Sequence, residues 1–233
     1  MKVLRKQELE TSSIQVGDQI VIQLTGFGEF TATAQKITDK GTLFLFDDCV
    51  AEQPMNKKYT FRGWMGSFYK LLSRQQRNSL IQLTAMRRKL KKLSIKVKSG
   101  DICYENVENM NKGGYEKSDL CKWISDVLSV AFPENLINRI DNLTIPTYGQ
   151  MFGHDDWYND VMEPDDDEQL PLMKKRKNRI ADFNDNYEWY WIQNATKKEV
   201  SAANFAVVSN GGGTGYGNAS NSIGVRPVFW LVK

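Results

Sequence analysis

One histidine and three cysteines among 233 residues set narrow limits on the chemistry this chain could perform. Catalysis near neutral pH leans on exactly those side chains as bases and nucleophiles. Cys49, Cys103 and Cys121 form an odd, widely spaced set with no C-x-x-C pair, so no zinc framework can be assembled from them. His154 would have to serve any Ser-His-Asp or Cys-His arrangement, and it sits in Gly153-His154-Asp155-Asp156-Trp157, a polar stretch with turn character. It reads as a loop residue. The expectation is therefore no catalytic residue, no metal and no cofactor.

Other clusters suggest chemistry but fit it poorly. Asp165-Asp166-Asp167-Glu168 concentrates the hard oxygen ligands that Ca²⁺ prefers, without the Gly and Glu spacing of an EF-hand loop, and reads as a solvated acidic turn. Gly211-Gly212-Gly213 and Gly215-x-Gly217 suggest a phosphate cradle. No Lys-Ser/Thr follows them and no helix begins there, so they read as a flexible hairpin tip. Trp189, Trp191 and Trp230 could line a sugar or peptide site, although Trp at strand spacing more often fills core. Arg226, ahead of Pro227 in an apolar strand, is expected in a buried ion pair or against backbone carbonyls.

Residue types suited to meeting a ligand gather near the C-terminus: Tyr187, Trp189, Trp191, Asn194, Asn204, Ser209, Asn210, Thr214, Tyr216, Asn218, Ser220 and Asn221. Asn, Ser and Gly make adaptable hydrogen bonds, and Tyr adds rigid amphipathic contact area. A second surface is electrostatic. From Lys57 to Lys98 there are 13 Lys and Arg and no Asp or Glu, whereas Asp155 to Glu168 holds 8 acidic residues and no base. The formal net charge of +3 thus hides a remainder of −10 outside the basic segment. Arg74, Arg77, Arg87, Arg88, Lys89, Lys91 and Lys92 could contact nucleic-acid phosphates from a helix, or dock on the acidic loop of this chain or of a neighbouring copy in a homo-oligomer. Mean hydropathy is −0.49, and no window approaches a membrane span. The opening residues carry no apolar h-region, so the expected setting is cytoplasmic synthesis without a signal peptide.

The elements that must hold these residues follow from periodicity. Gln19 to Leu24, Phe30 to Ala34 and Thr42 to Phe46, separated by Gly and Asp turns, predict an antiparallel meander, with Leu43 to Phe46 the most buried run. Apolar residues between Ser67 and Leu93 recur every three or four positions and predict an amphipathic helix or a broken pair, ended by Ser99-Gly100-Asp101. Ser118 is suited to cap a helix over Asp119 to Val130, with Leu120, Trp123, Ile124, Val127 and Leu128 on one stripe. A short turn follows at Asn135 to Ile140, then an edge strand at Leu143 to Pro146. Tyr187 to Ile192, Phe205 to Val208 and Val225 to Val232 read as strands, and residues 209–222 as a small-residue loop.

Three separated motifs carry a resemblance. Gly113-Gly114-Tyr115 leads into Ser118-Asp119-Leu120 and Trp123-Ile124; Trp189-x-Trp191 precedes Asn194-Ala195-Thr196; and Gly224-Val225-Arg226-Pro227-x-Phe229-Trp230-Leu231 closes the chain. Together with the meander they resemble a bacterial and phage domain family of unknown function. The resemblance implies a fold similar to C-type-lectin-like domains, including the formylglycine-generating-enzyme-like branch, with a structural Arg near the final strand and a ligand surface formed by the preceding loops. It also implies kinship with proteins varied by diversity-generating retroelements, whose varied sites hold Asn, Tyr, Ser, Gly, Thr or Asp. The oxidising branch of that fold needs a reactive Cys pair or metal site near the C-terminus, and here every Cys precedes the acidic loop. The residues from Lys57 to Met110 depart from the family pattern and look like an insertion in a surface loop.

The expectation is then an α+β chain: a β meander at 1–56 belonging to the main domain, a basic helical insertion at 57–110, and a C-type-lectin-like core at 111–233. Its expected function is non-catalytic binding of a protein or cell-surface ligand. The alternative is a phage or mobile-element protein meeting nucleic acid, or a nucleoprotein complex, through the insertion.

Overall fold

The computed structural model describes residues 14–57, 96–98, 101–103, 111 and 113–232. The expected helix between Ser67 and Leu93 lies outside these residues, as do the side chains of Arg74, Arg77, Arg87, Arg88, Lys89, Lys91 and Lys92. The fold is α+β and mostly β. The meander forms as expected: β1 (Gln19–Leu24), β2 (Gly28–Ile37) and β3 (Gly41–Phe46) pair antiparallel in sequence order. In β1 the alternation of apolar and polar residues puts Ile20, Ile22 and Leu24 inside and leaves Gln19, Val21 and Gln23 outside. Every residue of β3 is buried, as its continuous apolar run requires.

From β3 the chain turns at once into β4 (Ala51–Pro54). Where a loop was expected after the basic helix, β5 (Lys96–Lys98) and β6 (Asp101–Cys103) pair antiparallel. Ser118 caps α1 (Asp119–Trp123) by accepting from the Cys121 N–H at 3.0 Å. The helix then widens into a π turn over Ile124–Leu128 and tightens into a 3-10 turn over Ser129–Ala131. That widening rotates the stripe, so Leu120, Ile124 and Leu128 are buried while Val127 faces solvent.

The next elements are α2 (Glu134–Ile137), β7 (Ile140–Thr144), α3 (Tyr148–Phe152) and α4 (Asp156–Val161). The aromatic run expected as one strand is two. β8 (Ala181–Phe183) and β9 (Asn186–Glu188) form a hairpin whose Asn184 and Asp185 both have positive φ, and the chain breaks at Trp189 before β10 (Tyr190–Ala195). β11 (Asn204–Val208) is followed by β12 (Thr214–Asn218), a strand in a stretch expected as loop, with Ala219 fully buried beyond it.

The terminal strand is also two, β13 (Ser222–Val225) and β14 (Val228–Val232), and they lie in different sheets. The first sheet has the order β1-β2-β3-β14-β7, the second β12-β11-β10-β13-β4. β3 pairs with β14 in one and β4 with β13 in the other, so a single antiparallel ribbon leaves the first sheet and enters the second. Phe46 N–H donates to the Pro227 carbonyl at 3.0 Å and Val50 N–H to the Val225 carbonyl at 2.9 Å across the bend. Pro227 has no N–H to continue a ladder, which is why the strand breaks there.

Arg226 fills the bend, buried. Its Nε donates to the Phe46 carbonyl at 2.7 Å, its Nη atoms to the Asn178 carbonyl at 3.3 Å and its Nη1 to the Tyr190 hydroxyl at 3.0 Å, with the guanidinium 5.3 Å from the Tyr190 ring centre. Of the two sequence expectations for Arg226, the backbone carbonyls are realised. Burial pushes the Tyr190 phenol up to about 12, so it stays protonated and donates to the Arg179 carbonyl at 2.6 Å.

Both sheets feed alternate residues into two cores. One joins Phe44, Phe46 and Phe229 with Trp191, Phe205 and Val207 and with the buried residues of α1. The other joins Leu43, Leu45 and Val228 with Tyr190, Ile192, Ala206 and Val208, covered by Tyr148 and Met151 of α3 and Tyr158 of α4.

Candidate functional site

The C-terminal polar surface divides once it is folded. Trp191 is fully buried, with its indole N–H donating to the Gln53 carbonyl at 2.8 Å. Its expected ligand contact is corrected: it sits on the core face of β10, and no external molecule reaches it. Asn194 is likewise buried. It accepts from the Tyr148 N–H at 2.7 Å and donates to the Glu163 carbonyl at 3.1 Å and the Asp165 carboxylate at 2.8 Å, so its amide is consumed in joining β10 to α3 and the acidic loop.

Three more expected contact residues spend their side chains on turns. Ser209 Oγ accepts from Gly213 N–H at 3.0 Å, while Asn218 Oδ1 accepts from both the N–H and the hydroxyl of Ser220, at 3.1 and 2.8 Å. Asn204 is half-buried, and its carbonyl accepts from Asn111 Nδ2 at 3.3 Å. Still exposed are Tyr187, Trp189, Asn210, Thr214, Tyr216 and Asn221.

These exposed residues do not form one patch, because alternate positions of a strand face opposite sides. Tyr216 and Thr214 share one face of β12. Tyr216 is 47% exposed and lies parallel to the half-buried Trp157 of α4, with ring centres 6.4 Å apart and planes 9° apart. On the opposite face, the Trp189 and Trp191 rings lie beside Gly215, Gly217 and Val207. The turn that starts β12 is held rather than flexible, which corrects the reading of its glycines as a loose tip. Arg176 Nε donates to the Gly211 carbonyl at 2.7 Å and Arg179 Nε to the Gly212 carbonyl at 2.9 Å. Gly212 has φ 73°, and a Cβ there would press on the Arg176 carbonyl.

The acidic loop is only partly a solvated turn. Asp165 is folded onto the start of α3, where its carboxylate accepts from Gly149 N–H at 3.1 Å, Asn194 Nδ2 at 2.8 Å and Asp167 N–H at 3.0 Å, with His154 Nε2 at 3.3 Å. Burial works to raise the Asp165 carboxyl, but this set of hydrogen bonds, led by Asn194, outweighs it and holds the group below the usual aspartate range. Thr147, which caps α3 in a reciprocal box with Gln150, donates its hydroxyl to Asp167 at 2.8 Å. A Cβ on Gly149 would collide with the Asp165 carboxylate and the Asp167 carbonyl. Among the described residues no group of three or more His, Cys, Asp or Glu side chains could hold a metal ion.

Two concavities lie beside this loop. One of about 500 Å³ is bounded by Asn111, Gly113, Gly114, Glu163, Asp165 and Asn194; another of about 440 Å³ runs toward Leu143 and Trp230; Tyr115, Glu116, Thr147 and Gln193 line both. Asn111 fixes the wall by donating Nδ2 to the Thr196 and Ser201 carbonyls, each at 3.0 Å. The Gly113-Gly114-Tyr115 and Asn194-Ala195-Thr196 motifs therefore meet in space. Sequence reading found both motifs and missed that they share a wall, and it gave no sign that Trp157 stacks on Tyr216.

Residues 90–233 match the family model described as a domain of unknown function (DUF6273). The chain belongs to that family. The DUF6273 match includes α1, the acidic loop and every strand from β7 to β14, whereas the meander that completes the first sheet lies before it. No curated protein and no solved structure matches the chain.

Proposed function

We propose that this DUF6273 protein is a non-catalytic binding module, a C-type-lectin-like scaffold that meets a protein or cell-surface ligand through β12 and the adjoining side of α4. The observation that carries this reading is the parallel Tyr216–Trp157 pair beside Thr214, an exposed aromatic surface on a strand whose turn two arginines clamp. Rigid aromatic anchors lose little conformational freedom on binding, and such anchors dominate interface energetics. Asn210 and Asn221, exposed in the turns at either end of β12, supply adaptable polar contacts. The buried carbonyl contacts of Arg226 support the lectin-like reading, in which that residue is structural. Variation by a retroelement would fall on the exposed members of this set and spare Trp191 and Asn194.

The test is selection of binders from a displayed peptide library and an arrayed glycan set on the immobilised full chain. Tyr216→Ala is expected to weaken recovered binders by at least about tenfold, the loss of one interface anchor. Binders indifferent to Tyr216→Ala, Thr214→Ala and Asn210→Ala alike would remove this site.

A second reading rests on the 13 uninterrupted positive charges between Lys57 and Lys98: nucleic-acid contact through that segment. Its expected signature is a mobility shift at low salt that fades steeply as salt rises and weakens with Arg87→Ala/Arg88→Ala.

A further inference from the structure

β1 turns one backbone edge away from β2. β1 ends its sheet, and among the described residues no strand lies beyond it. Its ladder parity is fixed at the entrance: Gly17 N–H donates to the Ala34 carbonyl at 2.9 Å and Ala34 N–H to the Asp18 carbonyl at 2.8 Å, a bulge that makes Asp18 an inward-bonded position. Antiparallel strands alternate bonded and unbonded positions, so Ile20 and Ile22 also bond inward to β2, and Gln19, Val21 and Gln23 direct their N–H and C=O groups outward.

The sequence across those positions, Gln19-Ile20-Val21-Ile22-Gln23, reads the same in both directions. An antiparallel partner related by a two-fold axis at Val21 would place Val21 against Val21, Gln19 against Gln23, and Ile20 beside Ile22, with every outward group bonded. No charged side chain or proline guards the strand, although edges that must stay single usually carry one. Val21 is 63% exposed, which is costly for a β-branched apolar side chain left in water. Two further exposed valines bracket the edge. Val16, 45% exposed, precedes the bulge; Val130, 67% exposed, adjoins Ala131, whose carbonyl accepts Thr25 N–H at 2.8 Å at the other end. The same two-fold axis carries Val16 of one chain toward Thr25 and Val130 of the other.

We infer that the partner of this edge is a second copy of the chain, joined β1 to β1 in an isologous dimer with a continuous ten-stranded sheet. In an isologous pairing each contact occurs twice, so this neutral strand meets its own copy without like-charge repulsion and sets the exposed Val21 against its equivalent. The interface lies in the first sheet and the proposed ligand surface on the edge strand of the second. The two claims therefore fail separately.

The test is the solution mass of the full chain by light scattering over a concentration series. The wild type is expected to approach twice its 26.7 kDa chain mass. Val21→Lys, which sets two ammonium groups against each other at the axis, is expected to give the single-chain mass with an unchanged circular dichroism spectrum. Mixing Val21→Lys with Val21→Asp should restore the double mass as a heterodimer. Should Val21→Lys fail to fold, Gln23→Pro removes an outward N–H at an edge position that tolerates proline and should also give the single-chain mass. A wild type that stays single at its highest attainable concentration overturns the inference, and so does a dimer that survives both substitutions.

Discussion

Gly149 and Arg226 show how single residues hold this molecule together by contact rather than by type. Gly149 lets the acidic loop close on α3, so Gly149→Ala must displace the Asp165 carboxylate or the helix. The expected cost is about 1–3 kcal/mol, as for other forced overpacking. Denaturant unfolding checks it, and an unchanged midpoint would show that the loop yields freely. Arg226 satisfies the carbonyls of Phe46 and Asn178 and the Tyr190 hydroxyl at the bend between sheets. Arg226→Leu leaves those acceptors buried without donors and should lower stability by about 1–3 kcal/mol.

At the scale of elements, the acidic loop is a pH-dependent attachment. The Asp165 carboxyl is depressed in the folded chain, so its stabilisation is complete above the ordinary aspartate value of 3.8 and is lost as pH falls through the lower folded value. The thermal midpoint of the wild type should fall across that acidic window more steeply than that of Asp165→Asn. Equal slopes would mean that the loop contributes nothing to the acid response. The β11–β12 turn makes a parallel case: removing the Arg176 clamp with Arg176→Ala should speed amide exchange at Gly211 to Gly213 and leave β10 protected.

At the scale of the whole molecule, the ribbon of β3–β4 against β13–β14 couples the two sheets. β13 lies between β10 and β4, and β14 between β3 and β7, so the last strands in sequence are interior strands of both sheets. A chain ending at Asn221 is expected to lose both sheets together, seen as collapse of the β signal in circular dichroism and rapid proteolysis. Survival of a folded meander in that truncation would show that the first sheet stands without its C-terminal strand.

Local pattern in the sequence determined the meander, the Ser118 cap and the buried run of β3. Each of those depends on neighbours within a few positions, where periodicity and turn residues act. Tertiary structure alone decided that Val225 to Val232 is two strands in two sheets, that Thr214 to Asn218 pairs as a strand, and that Trp191 and Asn194 are interior while Tyr216 stands out beside Trp157. Those outcomes turn on pairings more than a hundred residues apart, such as Trp191 with Gln53 and Arg226 with Phe46, and on which face of a strand a distant element covers. Composition marked the C-terminal polar residues as a group. Packing then sorted them into turn bonds, core and surface, because each strand presents alternate residues to opposite sides.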